Sequence, residues 1–337
     1  MSQKKNFNRR EFLRTIGLTG AGLYLAGCTP KPSQPLATPV SVAATHTPAN
    51  LESQVSKEET QPTGEPSYGD VYLSVVRGEN PAEMVARAVA AIGGIERFVS
   101  NGDDVIIKPN ICTDYYSFEY AATTNPQVVA ALVQLSLGAG AKRVRVMDNP
   151  FGGTAQSAYQ RSGIEAAVLP VGGMMEVMNG NKFRPNPIPD GVDIKEWIFY
   201  QDILDADVVI NVPIAKHHGT TGLTLGCKNM LGTILNRGQI HANIHQRIAD
   251  LTSRVRPALT VIDGIRTLME NGPTGGNLDD VMITNTIIAS ADVVAADSQA
   301  ATLFGQTGAD IGYIQAAAAM SLGTLDLSSV KVEEITI

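Results

Sequence analysis

Residues 206–233 read ADVVINVPIAKHHGTTGLTLGCKNMLGT. Val208, Val209, Ile210 and Val212 form a short, nearly continuous apolar run, which predicts a strand buried on both faces of a parallel sheet. Pro213 ends it, because proline cannot donate to a ladder. Lys216, His217 and His218 then stand just past the strand's carboxyl end. They lie in a loop that Gly219, Gly222 and Gly226 allow to bend towards a ligand. Lys228 and Asn229 follow. Ligands of open α/β sheets bind outside the carboxyl ends of strands, so this stretch predicts a site for an anion or a metal. The competing reading is a solvated basic loop with glycines for its turns.

The same arrangement recurs on either side. Asp104–Ile107 predicts a strand ending in Lys108-Pro109-Asn110, with the lysine as an anion clamp or, more blandly, a snorkelling side chain at the sheet edge. Lys142–Met147 predicts a strand closed by Asp148, and Ala258–Ile262 one ending in Asp263-Gly264. Further strands are expected at Val71–Val76, at Thr286–Ala289 and, as an edge, at Val330–Ile337. Helices alternate with them. Asn80 caps one that runs from Pro81 to Ile92, and Thr124-Asn125-Pro126 opens another with Val128, Val129, Leu132, Val133 and Leu135 on its apolar face. Asp292 caps a third that contains Asp297. Between 164 and 205 the pattern is less regular: Met174, Met175 and Met178 read as gap-filling residues, and Pro185, Pro187 and Pro189 as a loop. Trp197, Phe199 and Tyr200 read as a short strand.

This alternation predicts an α/β fold, a mostly parallel sheet flanked by helices in a Rossmann-like manner, with two lobes allowed. In a parallel sheet Lys108, Asp148, Lys216 and Asp263 project to one rim, joined by Asn110, His217, His218, Lys228 and Asn229. Lysines there hold a carboxylate or phosphate. Aspartates and histidines bind a cation or move protons. The candidate catalytic groups are His217, His218 and Lys216; the candidate substrate-binding groups are Lys108, Asn110, Asp148, Lys228, Asn229 and Asp263.

His241 and His245 are four positions apart. On one helix they share a face, the spacing of a two-histidine metal pair. No glutamate completes an HExxH motif, so zincin chemistry is not expected, and surface hydrogen bonding is the alternative. Neither GxGxxG nor GxxxxGK[ST] occurs, which leaves nucleotide binding without support, and no nucleophile elbow is visible.

The chain has 337 residues, 44% hydrophobic and 18% charged, with a net charge of -7. The acidic balance argues against nucleic acid as a partner. Its three cysteines form no CxxC and no ferredoxin-like run, so an intrinsic iron–sulfur cluster is not expected. Cys112 and Cys227 pair only if the fold brings them together. No cofactor can be named; a divalent metal is left open.

The N-terminal residues carry a different message. Asn8-Arg9-Arg10-Glu11-Phe12-Leu13-Arg14 resembles a twin-arginine export signal. The apolar segment from Ile16 to Gly27 is too short and glycine-rich to stay as a spanning helix. Leu25-Ala26-Gly27-Cys28 resembles the lipobox of bacterial lipoproteins. The resemblance implies a signal peptide over 1–27, diacylation of Cys28, and the export machinery and the membrane as partners. The product would be lipid-anchored on the extracytoplasmic side. Residues 28–67 are rich in Pro, Thr, Ser, Glu and Gln and bury too little to offset ordering entropy. They read as a tether that includes His46, with the α/β domain over 68–337.

Several segments together resemble the domain of unknown function 362 family: Ile107-Lys108-Pro109-Asn110, Thr124-Asn125-Pro126, Ala139-Gly140-Ala141, Asp207–Pro213, Lys216–Gly232, Ile262-Asp263-Gly264, Asn271-Gly272-Pro273 and Asp292–Asp297. The resemblance spans nearly all of 70–325 and implies an α/β fold with no generally assigned reaction. Some relatives carry ferredoxin-type cysteines, which this chain lacks. The layout is also similar to that of the nickel-pincer lactate racemase family, which places His and Lys in glycine-rich loops. The resulting expectation is an exported, lipid-anchored enzyme for a small anionic substrate or cofactor, of redox or isomerase type and open to metal assistance. The rival is a non-catalytic solute-binding lipoprotein, with two lobes about a hinge.

Overall fold

The computed structural model describes residues 72–337. The export signal, Cys28 and the tether lie outside the described residues. Strand β1 (Leu73–Arg77) leads to α1 (Pro81–Ala91), started by Asn80, whose side chain accepts from the amides of Ala82 and Glu83. Then come β2 (Asp104–Pro109), α2 (Pro126–Gly138) with Asn125 as its cap, and β3 (Arg143–Val146). Next are α3 (Ala155–Arg161), α4 (Ile164–Val168), β4 (Met174–Met175), β5 (Phe183–Pro187), β6 (Glu196–Tyr200) and α5 (Gln201–Asp205). The predicted central strand is β7 (Val208–Val212), followed by β8 (Ile214–His218), β9 (Gly222–Thr224) and the single turn α6 (Gly226–Asn229). The chain closes with α7 (Ile244–Val255), β10 (Leu259–Leu268), β11 (Val281–Ser290), α8 (Val293–Ala301), α9 (Gly312–Ala319) and β12 (Val332–Thr336).

The main sheet runs β12-β1-β11-β10-β7-β2-β3-β4. Along this path β11 pairs antiparallel with both neighbours, and every other pair is parallel. The period-2 alternation of side chains divides the core in two. Val105 and Ile107 of β2, Val208, Ile210 and Val212 of β7, and Leu259 and Val261 of β10 face α1 and α2. Ile106 and Val209 face the other way, towards Tyr200 and Ile203, and Ile262 packs with α7, α8 and α9. Each fully buried aliphatic side chain contributes about 1.5–3 kcal/mol relative to exposure. With both faces covered, the strands are apolar runs. Lys108 shares the face of Ile106, and its register partner is Asn211 of β7. A buried lysine opposite a buried asparagine thus breaks the apolar pattern where the sheet meets the site.

The structure differs from expectation in four places. Residues 214–218 are strand β8, not a loop, paired with β10 and in a hairpin with β9. Pro213 does not end the extended chain, because β10 needs only its carbonyl: Asp263 N–H donates to Pro213 O at 2.9 Å. β10 does not stop at Asp263 but runs on to Leu268 through an irregularity between Gly264 and Arg266. Pro185 and Pro187 belong to β5, which pairs only with β6. They are two residues apart, so their missing donors can both point away from the partner strand. Finally, the described residues form one compact unit, so the two lobes allowed by the sequence are not formed.

Candidate functional site

A cavity of about 380 Å³ opens beyond the carboxyl ends of β2 and β3 and against the β8–β9 hairpin. Lys108 enters it from the end of β2 and is fully buried. Its ammonium pairs with Asp148 Oδ1 at 2.8 Å and donates to Asn229 Oδ1 at 2.8 Å and to Pro109 O at 2.9 Å. Burial pushes its pKa down, and the Asp148 carboxylate opposes that shift. Asp148 also accepts the amides of Ile111 and Asn149, at 2.6 and 2.8 Å. A Cβ at Gly232 would fall on Asp148 Oδ1 and Lys108 Nζ, so glycine is what lets the chain lie against this pair.

Asn229 ties the floor together. It accepts from Lys108 and, at 2.9 Å, from Asn110 Nδ2, and its own Nδ2 donates to Asn211 Oδ1 at 2.8 Å. Lys216 is also fully buried. Its ammonium meets Ala122 O at 2.6 Å, Cys112 Sγ at 2.7 Å, Asn110 Oδ1 at 2.9 Å and Pro273 O at 3.0 Å. Lys228 differs: it lines the cavity with no hydrogen-bond or ion-pair partner among the described residues. Burial pulls its pKa to about 8, with Lys216 and Arg237 adding repulsion. Arg237 completes the cationic wall and donates to Pro150 O at 3.2 Å.

The strand geometry of β8 sorts its side chains. Lys216 and His218 line the cavity, and His217 between them does not. His217, outside the cavity, instead accepts the Gly272 amide on Nδ1 at 3.1 Å, so the structure does not bring it together with the other residues expected to be catalytic. His218 Nδ1 accepts the Thr220 amide at 3.1 Å, so the neutral ring carries its proton on Nε2. Burial first, then Lys228 and Lys216, push its pKa down to about 3. It is therefore a neutral donor in a cationic cavity.

Asp263 does not reach this cavity. On the α2 side of β10, fully buried, it accepts the amides of Asn125 at 2.7 Å and Ile265 at 3.1 Å. Its role is to fix the entry to α2, and burial pushes its pKa up to about 6. The His241–His245 pair is not formed either. α7 begins only at Ile244, and His241 lies in the 3-10 stretch Arg237–Asn243, whose period breaks the four-residue face. His241 lines the cavity, while His245 packs against Gly312 in a separate hollow. Among the described residues, no group of three or more His, Cys, Asp or Glu is placed to hold a metal. Cys112 and Cys227 are unpaired.

Among the lining residues not singled out by sequence for the site are Arg237, Thr224 and Cys112. Thr224 is the register partner of Lys216 in the hairpin, and its buried hydroxyl has no hydrogen-bond partner among the described residues. For Cys112 a signal existed, since in extended chain it falls on the same side as Asn110.

The family model for the domain of unknown function DUF362 matches residues 105–302, so the chain belongs to that family. The thylakoid-associated protein sll1697 of Synechocystis sp. is 29% identical over 219 residues, which cover 61% of this chain and 64% of that protein. Thus the chain spans less than two thirds of that relative's length. Among solved structures, the lactate racemase apoprotein of Thermoanaerobacterium thermosaccharolyticum matches with a TM-score of 0.44 at 12% identity, covering 71% of this chain and 58% of that one. A structural-genomics protein of Thermotoga maritima matches with a TM-score of 0.41 at 13% identity, covering 68% and 60%.

Proposed function

We propose that this member of the DUF362 family is an enzyme that takes a small carboxylate or phosphate into the cavity at the ends of β2 and β3. One observation carries the reading. Lys108, Lys216, Lys228 and Arg237 line a single cavity against one lining carboxylate, Asp148, and the Lys228 ammonium has no partner of its own. A partly buried cation without a counter-charge is unfavourable, and an anionic ligand supplies one through charge-assisted hydrogen bonds. His218 is the electrophilic group of this reading: a neutral ring whose Nε2–H is free to donate to a ligand oxygen, beside cations that stabilise developing negative charge. Redox and isomerase reactions are the classes it fits. In the same reading the protein is exported through its Arg9-Arg10 signal and anchored to the membrane by lipid on Cys28.

Calorimetry with inorganic phosphate and with small dicarboxylates tests the cavity. Binding by the full chain, weakened by Lys228→Ala, is the expected result; no binding, or binding indifferent to Lys228, overturns it. Fractionation of producing cells tests the anchor: the protein should be found with membranes and Cys28→Ala should release it.

A further inference from the structure

We infer that Cys112 is a nucleophile of this cavity, set by Lys216 to attack an electrophilic carbon of the small anion that Lys228 and Arg237 hold. The inference rests on the anion-binding reading above. Cys112 Sγ lines the cavity 2.7 Å from Lys216 Nζ. The other three atoms around that ammonium are neutral oxygens of Asn110, Ala122 and Pro273. The sulfur is therefore the one atom of that shell able to offer a counter-charge. A buried ammonium calls for one, and the thiolate is the reactive form of cysteine. The thiol itself donates to Asn110 Oδ1 at 3.1 Å, and once that proton leaves, Lys216 Nζ is the group placed to stabilise the sulfur at the cavity wall.

A second observation points to a ligand in the same cavity. Thr224 is only 4% exposed, lines the cavity, and its Oγ1 has no partner among the described residues. Buried hydroxyls are ordinarily hydrogen-bonded. Lying across the hairpin from Lys216, this one is free to receive a polar atom of a molecule that reaches Cys112.

Cys227 supplies the contrast within the same chain. It is fully buried, away from the cavity, and beside the Asp297 carboxylate. Burial first and then that carboxylate push its thiol well above the usual range. One cysteine thus faces cations and an opening; the other faces a carboxylate and the core.

For a ligand with a carbonyl carbon beside its anionic group, the step is an addition. The S–C bond forms, the C=O π pair moves to oxygen, and the thiol proton ends on that oxygen. No further reactant is needed. With a haloacetate as probe, the S–C bond forms as the carbon–iodine bond breaks, iodide leaves with its electron pair, and the thiol proton passes to solvent.

The test compares iodoacetate, an anion, with iodoacetamide, its neutral analogue, on the full chain, with the Cys112 and Cys227 peptides read separately by mass spectrometry. Iodoacetate should modify Cys112 at least about tenfold faster than Cys227. Its rate relative to iodoacetamide should exceed the ratio found for free cysteine, and inorganic phosphate should slow it. Lys216→Met should slow Cys112 by about tenfold while Cys227 stays unmodified, which separates lost activation from unfolding. Should Lys216→Met fail to fold, the wild-type rates and Thr224→Val, expected to weaken phosphate protection, still decide. If Cys112 reacts no faster than Cys227 while calorimetry shows phosphate bound, the nucleophile is overturned and the anion site stands. If both reagents modify Cys112 in the ratio of free cysteine and phosphate neither binds nor protects, the anion site falls and the inference with it.

Discussion

The two ends of α6 use similar buried polar chemistry to different ends. At its start, the amides of Gly226 and Cys227 donate to Asp297 at 2.6 and 2.9 Å, and the carboxylate is sealed in the core. Two residues on, Lys228 and Asn229 face the cavity. Asn229 is held on all sides, but the Lys228 ammonium and, across the hairpin, the Thr224 hydroxyl are not. Burial of a polar group therefore says little alone. What separates the framework from the candidate site is whether the group's bonding capacity is used up inside the protein.

The sharpest way to break this comparison is to remove the sealed carboxylate. Asp297→Ala leaves two buried amides without an acceptor and should lower stability by about 3 kcal/mol in chemical denaturation. Burial pushes the Asp297 pKa up to about 7 from 3.8. A raised folded-state value means the native protein holds the proton longer than the unfolded chain. The stability it contributes is thus fully present below about pH 4 and lost as pH rises through about 7. Asp297→Asn should flatten that part of the stability profile.

Next in size is Gly232→Ala, whose methyl group would displace the Lys108–Asp148 pair. It should cost about 1–3 kcal/mol and abolish anion binding, as calorimetry would show. Lys228→Ala sits on the other side of the comparison. It should weaken anion binding by about tenfold to a hundredfold without lowering the melting temperature, because no bond within the protein is lost. In the wild type, affinity should fall as pH rises through about 8, where Lys228 loses its charge. A Lys228→Ala protein that melts markedly earlier would count against the distinction. The smallest effect belongs to Thr224→Val. Replacing an unpartnered buried hydroxyl with a methyl group should leave stability unchanged or raise it by about 1 kcal/mol, while affinity drops a few-fold.

What the sequence showed and hid follows from the same physics. Lys108 and Asp148 were legible because apolar strands with covered faces read plainly, and a polar residue at the end of such a run stands out; Asn229 was read from the glycine-rich stretch around it. The fold class followed from the same runs and from the caps at Asn80, Asn125 and Asp292. Asp263 misled because Asp-Gly looks like a turn, whereas β10 continues through its irregularity alongside β11. β8 was hidden because its polar residues 216–218 lack an apolar signature; the hairpin, not the propensity of the segment, makes it a strand. Without that strand, nothing told His217 from His218. Arg237 and His241 reach the cavity from a 3-10 stretch with no period that sequence reading could follow.

β1 lies between β11 and β12, and Leu73 pairs with Val332 near the opposite end of the chain. The earliest strand of the described sheet must therefore wait for the latest ones before it has any ladder partner. Pairing so distant in sequence makes for slow, late closure. It also makes the last strand a guard: a chain cut short of Val332 would leave the outer edge of β1 bare, a template for unwanted strand addition from a neighbouring molecule.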